Sequence, residues 1–238
     1  MSLTLIIDPK SSGMTEVKTQ EEWARYWDSD VSGKYLPSLA DYYAALKSLS
    51  VGLEHFLEDK LLRNTVDALQ AAIKGLVIIT GTRVGFDGDR AEIIHKYGTN
   101  EETRSIVEVP FYYDERVDIL ANPAKKDMDF LSELFDTEDS ASEISRVIGY
   151  MLGRQEAVMP HCRTPGFNKT ELLIPPREER QQGATRIGSL LYLPGEVPTL
   201  QVCLVHKPEV KGYSPLIHDL SIARVLQEQG ADKEPFSF

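Results

Sequence analysis

The spacing of the apolar residues changes abruptly at Leu76. Before it, Leu39, Tyr42, Tyr43, Leu46 and Leu49 recur every three to four residues. Leu53, Phe56, Leu57, Leu61, Val66, Leu69 and Ile73 continue the pattern. Such spacing places one apolar stripe on each helix. At Leu76, Val77, Ile78, Ile79 and Thr80 the run becomes continuous and β-branched, which suits a strand buried on both faces. A block of helices followed by locally paired strands predicts an α+β fold, with helices packed on a mainly antiparallel sheet. A doubly wound α/β sheet is the alternative. It would need strands and helices to alternate singly. The expected organisation is a helical N-terminal region, 1–73, packed on a mixed core, 74–238, as one cooperative unit. Residues 1–73 consist largely of amphipathic helix and need an apolar surface to cover.

Local signals locate the elements. Residues 3–7 read as a short strand stopped by Asp8-Pro9. Thr19-Gln20-Glu21-Glu22 carries a capping box, and Trp23 and Trp27 share a face of the helix that follows. Ser38 is a good N-cap for a helix over 39–49, with Asp41 in its first turn. A further helical stretch spans 52–73. After the 76–80 strand, the segment from Gly85 to Asp89 reads as a turn on the strength of its Asp-Gly pair, with a return strand over 90–97. A third strand spans 105–113. Pro110 has no N–H to give a ladder, so this strand lies at a sheet edge or carries a bulge there. Asn122-Pro123 opens another helical stretch. Ser140 and Glu143 form a capping box before Ile144, Val147, Ile148, Met151 and Leu152, which predicts a helix over 140–153. Residues 154–185 are rich in Pro, Gly, Arg and Gln and read as a long loop, extended only at 170–174. Arg186–Leu193 and Val197–His206 flank Pro194-Gly195-Glu196 as a second hairpin. Ser214 with Pro215 predicts a last helix running to about Gln229.

Charge bears on partners. The chain of 238 residues has 26 basic and 37 acidic side chains, a net charge of −11. Nucleic-acid partners are not expected, because a phosphate-binding face normally shows as a basic excess. Acid dominates residues 1–159, whereas 160–238 is balanced. Within the last third Arg163, Lys169, Arg177, Arg180 and Arg186 form the one basic-rich stretch and are the candidates for anion binding. No apolar run is long enough to span a bilayer, and the N-terminus has no basic n-region, so a soluble, cytoplasmic protein is expected.

Three sets of residues carry possible chemistry. Asp87, Asp89, Glu92 and His95 lie within nine residues and supply oxygen and nitrogen donors for a divalent cation, or an acid–base pair. On a strand, however, Glu92 and His95 point to opposite faces, while His95 aligns with Ala91, Ile93 and Tyr97 as a half-buried histidine. Cys162 beside His161 and Arg163 has the cationic setting that favours a thiolate. Adjacent side chains usually diverge, so His206 or His218 would have to act as its base. Cys203 alternates with Gln201 and Val205 and reads as packing volume. Trp23, Trp27, Tyr42, Tyr43, Tyr112 and Tyr113 suit a core and its rim, or a partner surface. Dinucleotide and P-loop glycine patterns, hydrolase elbows, His-Glu-x-x-His and paired Cys-x-x-Cys are absent, so no cofactor is expected.

The leading expectation is therefore a non-catalytic interaction or assembly module, acting on a protein partner or as a homo-oligomer. A metal-dependent hydrolase or nuclease using Asp87, Asp89, Glu92 and His95 comes second, and a thiol enzyme using Cys162 third.

Overall fold

The protein was analysed as a computed structural model. It describes residues 4–6, 17–28, 36–45, 47, 77–109, 115–149, 169–180, 185–193, 199–205, 209, 211–212 and 216–218. Seven strands form one sheet: β2 (Val77–Asp87), β3 (Arg90–His95), β4 (Thr103–Glu108), β5 (Val117–Asp118), β6 (Lys169–Ile174), β7 (Thr185–Leu193) and β8 (Thr199–Val205). Their order is β4-β3-β2-β7-β8-β6-β5. Every neighbouring pair is antiparallel except β6–β8. β1 (Thr4–Ile6) pairs separately with β9 (Leu216–His218). The described helices are α1 (Gln20–Asp28), α2 (39–45), α3 (Lys125–Phe135), α4 (Ala141–Gly149) and the single turn α5 (Arg177–Arg180). The fold is α+β, with helices packed on a mainly antiparallel sheet.

The helix starts follow from the expected caps. Glu22 Nα–H donates to Thr19 Oγ1 at 3.2 Å, and the Glu22 carboxylate accepts the Thr19 N–H at 2.8 Å. Ser38 and Asp41 repeat the reciprocal arrangement. At α4 only half of the box forms. Ser140 Oγ accepts from Glu143 N–H, while the Glu143 carboxylate turns to Arg146. Ile144, Val147 and Ile148 are buried as the stripe requires. Trp23 and Trp27 stack with ring centroids 6.2 Å apart and pack with Leu36 and Ile79. On the sheet face of Val84, Phe86, Ala91 and Ile93, α3 contributes Phe130, whose ring lies 6.2 Å from that of Phe86.

The central strand β2 contains an irregularity that positions α1 and α2. Its register with β7 shifts between Ile79 and Arg83, so Thr80, Gly81 and Thr82 oppose Gly188 alone. A bulge removes backbone groups from the ladder, and buried ones must find other partners. Here the Gln20 amide donates to the Thr80 and Thr82 carbonyls at 2.6 and 2.9 Å. Gly81 N–H donates to Pro37 O, and Gly81 O accepts from Tyr97 N–H. A Cβ at Gly81 would lie 2.4 Å from the Leu36 carbonyl oxygen, so only glycine permits this approach.

Three expectations are corrected. Gly85, Phe86 and Asp87 are strand, paired with Glu92, Ala91 and Arg90. The hairpin needs only Gly88 and Asp89, with Gly88 at φ 59°. The expected helix from Ser214 is a strand at Leu216–His218, because long-range pairing with β1 outweighs a local helix-start signal. Within 154–185 the expected extended segment 170–174 is β6, the loop reading is corrected where α5 follows Pro175-Pro176, and 154–168 and 181–184 lie outside the described residues. The helical stretch 52–73 and the end of the 140–153 helix lie outside the described residues. Among the described residues β4 (Thr103–Glu108) lies at a sheet edge, while 110–113 of the expected strand lie outside the described residues.

Candidate interaction surface

The hairpin carboxylates do not converge. Asp87 and Asp89 are exposed at the β2–β3 turn. Glu92 lies 3.5 Å from Arg104 on the face opposite His95. The His95 ring is fully engaged: Nδ1 is 3.0 Å from Thr82 Oγ1 and Nε2 is 2.8 Å from Glu133 O. A carbonyl only accepts, so Nε2 carries the proton, and Thr82 Oγ1, which accepts from Leu39 N–H at 2.8 Å, donates to Nδ1. His95 thus ties β3 to β2 and α3. Among the described residues no three His, Cys, Asp or Glu side chains are grouped to hold a metal ion.

His161, Cys162, Arg163 and His206 lie outside the described residues, and of Cys203 and His218 only the strand positions are described. Among the anion candidates, Lys169 opens β6 and Arg186 lies within β7. Arg180 is fully buried at 0% exposure, and Arg177 is half-buried on the same turn. A guanidinium enclosed by protein is not presented to a polyanion in solution. Trp23, Trp27, Tyr42 and Tyr43 are core residues. Burial, with a hydrogen bond to Asp139, pushes the Tyr43 hydroxyl far above its ordinary range.

A groove beside α1 was not legible in the sequence. Val17, Lys18, Glu22, Arg25, Tyr26 and Lys211 line an open groove of about 540 Å³. α1 creates one wall because Gln20, Trp23, Ala24 and Trp27 take its buried face, leaving Glu22, Arg25 and Tyr26 outward. The other wall follows from paired backbone hydrogen bonds between Lys18 and Gly212, which bring Lys211 beside the first turn of α1. Trp23 Nε1–H locks this junction by donating to Gly212 O at 2.8 Å. Lys18 Nζ lies 5.2 Å from the Trp23 ring centroid and 5.6 Å from that of Tyr26, within cation–π range. Arg25 is held by Glu21 at 2.8 Å. The Glu22 carboxyl is lowered first by its backbone hydrogen bond from Thr19 and further by Lys211 and Lys18, with slight burial opposing. Lys18, Arg25, Lys211 and Glu22 thus line the groove, with Glu21 pairing Arg25 beside it.

Large apolar side chains that are exposed mark binding surfaces better than composition does. Among the described residues these are Val17 at 45%, Tyr26 at 44% and Ile106 at 71%. The first two line the groove and the third stands on β4. No described helix is long and apolar enough to cross a membrane. No family model, curated protein or solved structure matches the chain.

Proposed function

We propose that the chain is a non-catalytic interaction and assembly module, and that the α1 groove takes an acidic segment of a partner protein. The observation that carries this reading is the pairing of exposed Val17 and Tyr26 with Lys18, Arg25 and Lys211 in one groove. An apolar side chain on the segment would cover Val17 and the Tyr26 ring, while its carboxylates meet the cations. Such charge complementarity mainly sets encounter rate and specificity, and the aromatic contact slows dissociation. The Trp23–Trp27 stack beneath Tyr26 holds the ring edge-on, at centroid distances of 5.6 and 4.8 Å, so little side-chain freedom is lost on binding.

The test is fluorescence anisotropy with a labelled library of Glu-rich peptides, each carrying one Phe, Tyr or Leu. Salt-sensitive binding is expected, weakened by Lys211→Glu and by Tyr26→Ser. If no peptide binds, or if both variants bind as the parent does, the reading fails. Labelled single-stranded and duplex DNA form the second arm. DNA binding through the same lysines, without peptide binding, would also overturn it.

A further inference from the structure

The outer edge of β4 has a sequence that complements itself. Among the described residues β4 ends the sheet and pairs only with β3, with Arg90 opposite Glu108 and His95 opposite Thr103. The ladder continues one step beyond, where Val109 N–H donates to Asp89 O at 2.7 Å. In an antiparallel ladder alternate residues aim their N–H and C=O to the same side. The Val109 bond therefore fixes the phase: Thr103, Ser105 and Val107 bond inward to β3, and Arg104, Ile106 and Glu108 turn their backbone groups outward. These same three residues share one sheet face, and all three side chains are exposed.

We propose that a second copy of this chain adds to β4 in antiparallel fashion, with Ile106 on the twofold axis. Outward-facing residues must meet outward-facing residues, which leaves few registers. Centring on Ile106 sets Ile106 against Ile106 and places each Arg104 opposite Glu108 of the other copy. Three facing pairs then exchange about six N–H···O=C bonds. The neighbouring registers are worse in both directions. One sets Glu102 opposite Glu108, like against like. The other sets Pro110, which lacks an N–H, opposite Arg104. Edges are commonly defended by charges that repel a second edge. Here the charges fall where a second copy neutralises them. Existing contacts of Arg104 with Glu102 and of Glu108 with Lys126 are exposed ion pairs that can be shared at this edge. The contact is small, so a concentration-dependent dimer is expected rather than an obligate one.

The inference rests on the assembly reading but not on the α1 groove, and sedimentation velocity over a concentration series separates the two. The parent chain is expected to dimerise. Arg104→Glu and Glu108→Arg singly each create two like-charge pairs and should weaken the dimer about tenfold. The double swap restores both attractions and should restore the dimer. Unchanged far-ultraviolet circular dichroism would show that the variants fold. A parent that stays monomeric at every concentration, single reversals without effect, or a double swap that fails to rescue would each overturn the inference. If Lys211→Glu and Tyr26→Ser abolish the dimer while Arg104→Glu does not, self-association runs through the groove and the β4 proposal fails alone. If the β4 dimer behaves as expected and no acidic peptide binds, the groove reading fails alone.

Discussion

Replacing Gln20 with leucine should destabilise the protein far more than a glutamine on the first turn of a helix normally would. Gln20 is fully buried. Its amide gives both hydrogens to bulge carbonyls, and its Oε1 accepts from Arg83 Nε at 2.6 Å. Leucine has similar volume, so the loss is polar rather than a cavity. Each carbonyl left buried without a donor costs about 1–3 kcal/mol. Arg83 is less sensitive, because it is half-buried and its guanidinium carbon lies 3.3 Å from the Tyr97 ring centroid. With partial relaxation, about 3 kcal/mol is expected for Gln20→Leu. For a chain of this size that lowers Tm by roughly 6–12 °C. The two tryptophans of the chain both lie on α1, so indole emission reports directly on whether this helix stays docked. A urea titration followed by that emission gives the shift in midpoint, with Glu21→Leu as an exposed control expected to stay within about 0.5 kcal/mol of the parent. If Gln20→Leu matches the control, the bulge carbonyls do not depend on Gln20 and the account of β2 is wrong. If emission shifts at lower urea than circular dichroism does, α1 opens before the sheet, which would also argue against one cooperative unit.

Two further outcomes follow from the packing and electrostatics. Ile148→Ala removes a side chain that is 2% exposed on a helix packed against β6, and should cost about 2–5 kcal/mol; an unchanged denaturant midpoint would refute its place in the core. Burial alone would raise the Asp139 carboxyl, but hydrogen bonds from Lys47 at 2.6 Å and Tyr43 at 2.5 Å, with Thr137, hold it below its ordinary value of 3.8. A depressed carboxyl contributes stability above that value and loses it as pH falls through the folded-state value. Asp139→Asn should therefore lower the midpoint at neutral pH and converge on the parent in acid, and a gap that stays constant with pH would rule this out.

What was legible in the residues was local. The Thr19–Glu22 and Ser38–Asp41 boxes close within three residues, so each can be read from a short window, whereas the Asp-Gly pair located the β2–β3 hairpin but not its bounds. Pro110 limits its strand to an edge or a bulge, because its missing N–H acts wherever the strand lies. The long-range pairings were not legible. Nothing in the short run Lys169–Ile174 shows that it lies parallel to β8, and nothing in Leu216–His218 shows that β1 is its partner. In the sequence Gln20 stands only as the second residue of a capping box. Its burial depends on a bulge sixty residues away, visible beforehand only as a Thr-Gly-Thr interruption of a β-branched run.

The candidate surfaces were hidden for the same physical reason. Val107 and Val109 set an apolar alternation on one face of the third strand, and Ile106 falls on the other face. Only the ladder phase set by Val109 and Asp89 shows that Arg104, Ile106 and Glu108 turn backbone groups away from β3 while sharing one exposed face, at an edge that no other described strand pairs with. The groove required still more. Val17, Lys18 and Tyr26 are close in sequence, but Lys211 joins them through one backbone bridge at Gly212. A Cβ at Gly212 would lie 2.5 Å from the Val77 carbonyl oxygen, so the bridge depends on a glycine that carries no chemistry of its own. Summed over segments, the chain is acidic wherever the groove residues of α1 lie. The local excess of cations arises only when α1 buries its indoles, turns Arg25 outward and receives Lys211 from the far end of the chain. A basic stretch in sequence and a basic surface in space are separate properties here: Arg180 belongs to the first and is buried, whereas Lys18 and Lys211 belong to the second.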